Sequence, residues 1–353
     1  MTIHCKPTSQ PRLSFLVVGF LATVISATAA VSIINPAGNI IDWDDGTQWS
    51  TGLEPNASDD VLINQQKTAN VTTTGNQALS ALVGNTIGNW NPSYLNVKSG
   101  GGLTLGSLTL ANVNAGADEG IVNIETGGSL INTGDLVINS AGTLNVSGGA
   151  YTSTNSGARV VSTGGGVINV SSGSFIAQGS AATHLLTLRT SVNITGGVFD
   201  LSGGQVIFGN SPTVTITGDA ATVTMDRLNT TAAGRDGTIQ YIFNASGIST
   251  IAADASFVNL DQLTILIDGS AYAGGPGTFT LITASNISND FSTSNLTVTG
   301  LGDEGTGWNW LADMDGSGGD SLAIQVVPEP SVVAIYFGLF ALGLVSWRRR
   351  SLK

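Results

Sequence analysis

Leu95-Asn96-Val97, Val122-Asn123-Ile124, Leu144-Asn145-Val146, Ile168-Asn169-Val170 and Val192-Asn193-Ile194 are one triad written over and over, an asparagine between two aliphatic residues. A few small residues and a glycine follow each triad, and then a large apolar residue: Leu103, Leu130, Tyr151, Phe175 and Phe199 in turn. Val214-Thr215-Ile216 continues the series with threonine in the centre, and the central residues are spaced by 27, 22, 24, 24 and 22 positions. Between the triads lie second short apolar stretches: Leu136-Val137-Ile138, Arg159-Val160-Val161, Leu185-Leu186-Thr187-Leu188 and Val206-Ile207-Phe208. Each period therefore holds two or three short strands with glycine turns between them. No amphipathic stretch is long enough for a helix, which excludes βαβ units and leucine-rich horseshoes. A helix-free period of this length is one coil of a solenoid.

The reading is an all-β protein, a right-handed parallel β-helix with coils of about 22–24 residues. Equivalent residues then stack on themselves from coil to coil. Leu103, Leu130, Tyr151, Phe175 and Phe199 are expected in one interior stack. Alternation along a strand sends Asn96, Asn123, Asn145, Asn169 and Asn193 to the opposite face, as an outer ladder. Its amides either hydrogen-bond along the stack or meet a glycan.

Composition agrees. Of 353 residues only 10% are charged and 6% aromatic, while Gly reaches 47 and Pro only 9. Gly, Thr, Asn and β-branched residues are poor helix formers. An apolar fraction of 41% argues against disorder. The net charge is −12, and Lys6, Arg12, Arg348, Arg349, Arg350 and Lys353 sit near the termini, so the body is more acidic still. Such a surface repels nucleic acid and anionic lipid.

Both termini carry targeting signatures. Lys6 and Arg12 precede an apolar run from Leu13 to Ile25, and Ala27-Thr28-Ala29 follows as a small-residue cleavage site. This is the pattern of a secretory signal peptide over residues 1–29, read by the Sec export machinery and cut after Ala29. Cys5, the one cysteine, leaves with it, so the mature chain has no disulfide. At the other end, Val327-Pro328-Glu329-Pro330-Ser331 precedes an apolar segment, Val332 to Trp347, and then Arg348-Arg349-Arg350. As a transmembrane helix 332–347 spans roughly 24 Å, short against a hydrocarbon core of about 30 Å. The arginines should stay cytoplasmic. Residues 327–353 resemble the PEP-CTERM sorting signal of Gram-negative bacteria, with motif, short helix and basic cluster in order. The resemblance implies recognition of Pro328, Glu329 and Pro330 by an exosortase during export. It implies transit through the inner membrane to the cell surface or extracellular matrix.

The coils need caps, because a solenoid has open ends. Residues 30–94 read as an N-terminal β cap with the first coils, and 95–237 as the repeats. Trp49-Ser50, Gly52, Pro55, Asp59 or Asp60, Val61 and Ile63 resemble the opening segment of autotransporter passengers and other secreted β-helices. Residues 238–326 lose the period. They read as a C-terminal region of antiparallel hairpins: Leu263–Ile267, a turn at Gly274-Gly275-Pro276-Gly277, Thr278–Ile282, Leu296–Val298, Trp308–Leu311 and Ser321–Val326.

Candidate chemistry is sparse. His184 is the one histidine of the mature chain, so no Ser/His/Asp set and no zinc site is supported by spacing. Asp200, Asp219, Asp226, Arg189, Arg227 and Arg235 are the residues a β-helix lyase or hydrolase would draw on. Asp44-Asp45 and Asp59-Asp60 are adjacent pairs whose members point apart on a strand. Asp313, Asp315 and Asp320 are the candidate Ca²⁺ ligands, in a stretch that also reads as a hairpin loop. The expectation is a non-enzymatic structural or adhesive protein associated with exopolysaccharide, the alternative being a carbohydrate-active enzyme on the same scaffold.

Changing Pro328, Glu329 and Pro330 together to alanine should leave export intact but trap the protein in the inner membrane. Fractionation in an exosortase-bearing host is the measurement; unchanged release would refute the sorting role.

Overall fold

A computed structural model of the chain describes residues 31–32, 40–84, 92–111, 119–154, 160–161, 165–178, 185–209, 211–230, 236–253, 260, 262–287, 291–314 and 319–327. The described residues form a parallel β-helix in which short strands stack into three columns. The signal-peptide residues Ala27 and Ala29, the sorting motif, the segment 332–347 and Arg348–Arg350 lie outside the described residues. Among the described residues no helix is long and apolar enough to cross a membrane.

The first column carries the asparagine triads. Its strands Thr68–Val71, Ser93–Val97 and Gly120–Glu125 lead into the first halves of Gly142–Ser153 and Val167–Ala177, all parallel and in register. Ser191–Ile194 and Thr213–Thr217 continue it. Leu95, Val122, Leu144, Ile168, Val192 and Val214 lie opposite one another along this column and are buried.

The second column carries the large apolar residues. Leu103, Leu130, Tyr151, Phe175 and Phe199 are in register and buried, as the repeat predicts. Asn76 precedes them and Val223, Ile251 and Ile282 follow. The rings of Tyr151 and Phe175 stack with centroids 4.7 Å apart, and those of Phe175 and Phe199 with centroids 5.2 Å apart. Offset-stacked rings at this spacing add to the burial of their area. The Tyr151 hydroxyl accepts from Asn132 Nδ2 inside the core, and burial raises its phenol well above the ordinary tyrosine range, against the opposing pull of that hydrogen bond.

The third column runs through Asp60–Ile63, the second halves of Asn76–Val83 and Gly102–Leu110, then Leu136–Ile138 and Val160–Val161. Leu185–Leu188 and Gln205–Phe208 form a separate parallel pair. The second apolar stretch of each period is thus a strand of its own.

Glycine at the corners is a packing requirement. A Cβ on Gly128 would stand 2.4 Å from the Val97 carbonyl oxygen of the preceding coil. Gly173 has φ of +78°, and a Cβ there would stand 2.1 Å from the Gly149 carbonyl oxygen. The chain turns where coils touch backbone to backbone, which is why each triad is followed by glycine.

The N-terminal end is closed by Trp43 and Trp49, both fully buried, with ring centroids 5.2 Å apart in an edge-to-face arrangement. The Trp49 indole N–H donates to the Trp43 carbonyl at 2.9 Å. Asp59 Oδ2 accepts from the Asn56 N–H and from Asn56 Nδ2, and this turn delivers Val61 and Ile63 into the core. The coils begin before the cap closes: Ile40–Asp42 already pairs with Thr68–Val71 in the first column.

The C-terminal region corrects the hairpin reading. Gly237–Ile242, Leu263–Asp268 and Leu296–Thr299 extend the first column in parallel. Ile251–Ala253 and Gly277–Ala284 do the same for the second. Only then does the chain reverse. Asp320–Val326 pairs antiparallel with Gly277–Ala284 on one edge and with Trp308–Asp313 on the other. The Gly-Gly-Pro-Gly turn and the alternating strands beside it look alike for a hairpin and a coil corner, and local sequence does not tell them apart. The Trp308–Leu311 and Ser321–Val326 hairpin is present as expected.

Truncating Phe175 or Phe199 to alanine removes a fully buried ring from the middle of the stack. Each is expected to cost about 3–5 kcal/mol, read as a lowered urea midpoint with an unchanged slope. A loss below about 1 kcal/mol would contradict the packing.

Candidate functional site

The outer face of the first column is the repeated polar feature of the molecule. The Nδ2 of each asparagine donates to the Oδ1 of its counterpart one coil earlier. Asn96 donates to Asn70 at 3.0 Å, Asn123 to Asn96 at 2.8 Å and Asn145 to Asn123 at 2.8 Å. Asn169 donates to Asn145 at 2.8 Å and Asn193 to Asn169 at 2.9 Å. All the bonds run the same way, so the amide dipoles align head to tail and polarise one another. Asn193 is exposed and the others are half-buried.

An amide has two N–H donors and two carbonyl lone pairs. Within the ladder each inner asparagine, from Asn96 to Asn169, spends one of each on its neighbours. One donor and one acceptor per coil remain, repeated at the strand spacing of about 4.8 Å. The ladder fixes the amide planes, so these groups need no ordering before they meet a partner.

The Asn70 rung was not anticipated, although Ala69-Asn70-Val71 has the right pattern. The small Ala69 hid the triad. Beyond Asn193 the same row continues as Thr215, Gln240, Leu266 and Thr297. There Thr215 Oγ1 still reaches Gln240 Oε1, at 3.4 Å. Two residues past the asparagines, Lys98 and Glu125 form an ion pair across adjacent coils. The spacings Asn96-x-Lys98 and Asn123-x-Glu125 put both on the outward face, a signal that strand alternation makes readable.

The acidic residues that a lyase or hydrolase would draw on are hydrogen-bonded, mostly to residues of a neighbouring coil. Asp200 accepts from Gln178 Nε2 at 2.7 Å and from the Ser202 N–H at 2.9 Å. Asp219 accepts from Asn244 Nδ2 at 2.8 Å. Asp226 is buried and accepts from the Gly203 N–H at 2.8 Å. Asp44 accepts from Thr73 Oγ1 at 2.6 Å. Asp45 caps the single-turn helix Gly46–Gln48, and the Thr47 hydroxyl and N–H hold its carboxyl below the usual range. Asp268 is lowered in the same way by Ser270. Arg189 lies beside Gly209, and Arg227 takes a left-handed backbone with φ of 47°. His184 and Arg235 lie outside the described residues.

The candidate Ca²⁺ ligands do not converge. Asp313 is exposed near the end of its strand and lies opposite Ser321. Asp320, the next residue back, is buried, and its Oδ2 accepts from the Ile287 N–H at 2.7 Å. Strand alternation sends the two carboxylates to opposite faces of the hairpin. Asp315 lies outside the described residues. Among the described residues no group of three His, Cys, Asp or Glu side chains is placed to hold a metal ion.

At the C-terminal end a groove of about 250 Å³ is lined by Tyr272, Pro276, Leu301, Val326, Val327 and glycines. Its titratable side chain is Tyr272, whose hydroxyl donates to the Gly275 carbonyl.

Comparison with protein-family models, with curated proteins and with solved structures gives no match to this chain.

The ladder makes a quantitative prediction. Asn145→Ala breaks two amide bonds at once and should cost about 1–3 kcal/mol, at about 0.5–1.5 kcal/mol per bond. Asn193→Ala breaks one such bond on an exposed residue and should cost about half as much. Urea unfolding of the two variants tests the contrast; equal losses would mean that the asparagines do not act as a chain.

Proposed function

We propose that this is an exported structural or adhesive protein of the cell surface or extracellular matrix, in contact with exopolysaccharide through the asparagine face. The observation that carries this reading is the ladder: preoriented, uncharged hydrogen-bonding groups repeated once per coil on one side of a rigid rod. A hydroxyl-rich polymer can meet such a row many times. Each contact exchanges water for sugar with a small net gain. Useful affinity then requires several coils engaged on one chain, where linked contacts multiply.

Delivery belongs to the same proposal. The signal peptide would pass the chain through the Sec machinery, and the sorting tail would hand it to an exosortase at the inner membrane of a Gram-negative cell. The acidic body keeps nucleic acid and anionic lipid out of the list of partners. The short transmembrane helix is the one part proposed to touch the membrane.

The test is a glycan array together with a reducing-sugar assay on the purified exported protein. Weak binding to long glycans is expected, falling with chain length and weakened by Asn145→Ala, with no sugar ends released. Release of sugar ends at a rate abolished by a single Asp→Asn substitution would overturn the reading in favour of a carbohydrate-active enzyme. Absence of all glycan binding would remove the adhesive part.

A further inference from the structure

The core is mostly apolar, and a few buried polar residues interrupt it, among them Asn76, Ser93, Asn132, Ser153 and Thr190. On the inner side of the second column, Leu105, Asn132, Ser153 and Ala177 follow one another in register. Asn132 is 0% and Ser153 6% exposed. The Asn132 Nδ2 donates to the Tyr151 hydroxyl at 3.2 Å. That leaves the Asn132 Oδ1 and the Ser153 Oγ, both shut off from solvent, with no hydrogen-bond partner among the described residues. The Tyr151 hydroxyl, having accepted from Asn132, still has its own proton to donate.

Buried polar atoms are almost always partnered, by protein or by ordered water. The neighbours along this row, Leu105 and Ala177, have no side-chain donor.

We propose that Asn132 Oδ1, Ser153 Oγ and Tyr151 Oη bind an internal water molecule between two coils. The chemistry selects water over other small ligands. The site must donate to one carbonyl oxygen and exchange hydrogen bonds with two hydroxyls, which one molecule with two donors and two acceptors does. Three polar partners is the usual number for a buried water. There is no charge in the set to call for an ion. The water would complete a polar node tying the Ser129–Asn132 strand to the next coil at the point where the aromatic stack begins.

The experiment is a crystal structure of the full chain at a resolution that shows ordered water, with ¹⁷O relaxation dispersion in solution on the wild type and on Ser153→Val. Density within hydrogen-bonding distance of the three atoms, and one long-lived water lost in Ser153→Val, is the expected result. Direct contact of Ser153 Oγ with Asn132 Oδ1, with no density between them, would overturn the proposal. So would an unchanged relaxation signal in a folded Ser153→Val. Should Ser153→Val fail to fold, the wild-type density alone decides.

Discussion

Everything in this molecule depends on coils stacking in register, so that each residue meets its own equivalent above and below. Parallel strands give this geometry its backbone bonds, and a repeat of side chains gives it its packing. The stack of Tyr151, Phe175 and Phe199 shows the consequence: flat rings lie on flat rings because the positions are equivalent. A solenoid of this kind has few interactions between distant parts of the chain. Its stability is close to a sum over neighbouring coils, and a lesion in one coil is felt mainly by the next.

The same constraint explains the composition. Corners must turn where backbones touch, which leaves room for glycine and little else. The outer face of a stacked strand sets like beside like, and like charges opposite one another are destabilising. Asparagine escapes that penalty because an amide is its own complement, donor on one side and acceptor on the other. The ladder from Asn70 to Asn193 is therefore a stabilising element first. The surface it offers to a polymer is what the stacking leaves unused. The low charge of the chain and the ordered polar face have one origin in the requirement that each coil repeat.

The ends obey different rules. At the N-terminus two buried tryptophans cover the first coil. At the C-terminus the chain reverses, and the antiparallel pair Trp308–Asp313 and Asp320–Val326 continues the second column outward. Neither cap repeats, because each meets a coil on one side only.

The amino-acid sequence by itself determined the all-β class, the coil length, the interior stack from Leu103 to Phe199 and the outward asparagines. Each of these is written in every coil, since stacking needs the same chemistry at equivalent positions, and repetition makes it legible. The tertiary structure decided what is not repeated. Asn70 joins the ladder behind a small alanine. Gly237–Ile242, Leu263–Asp268 and Leu296–Thr299 continue the column, although Gln240, Leu266 and Thr297 replace the asparagine and the coils lengthen. Parallel pairing is made by backbone N–H and C=O groups, which any residue but proline supplies, so the column continues where the asparagine is lost and only the buried flanks Ile239, Tyr241, Ile265 and Ile267 keep the pattern. Asp313 and Asp320 parted for a related reason: the pairing of their strands, invisible in the spacing, sent one carboxylate outward and the other into the core.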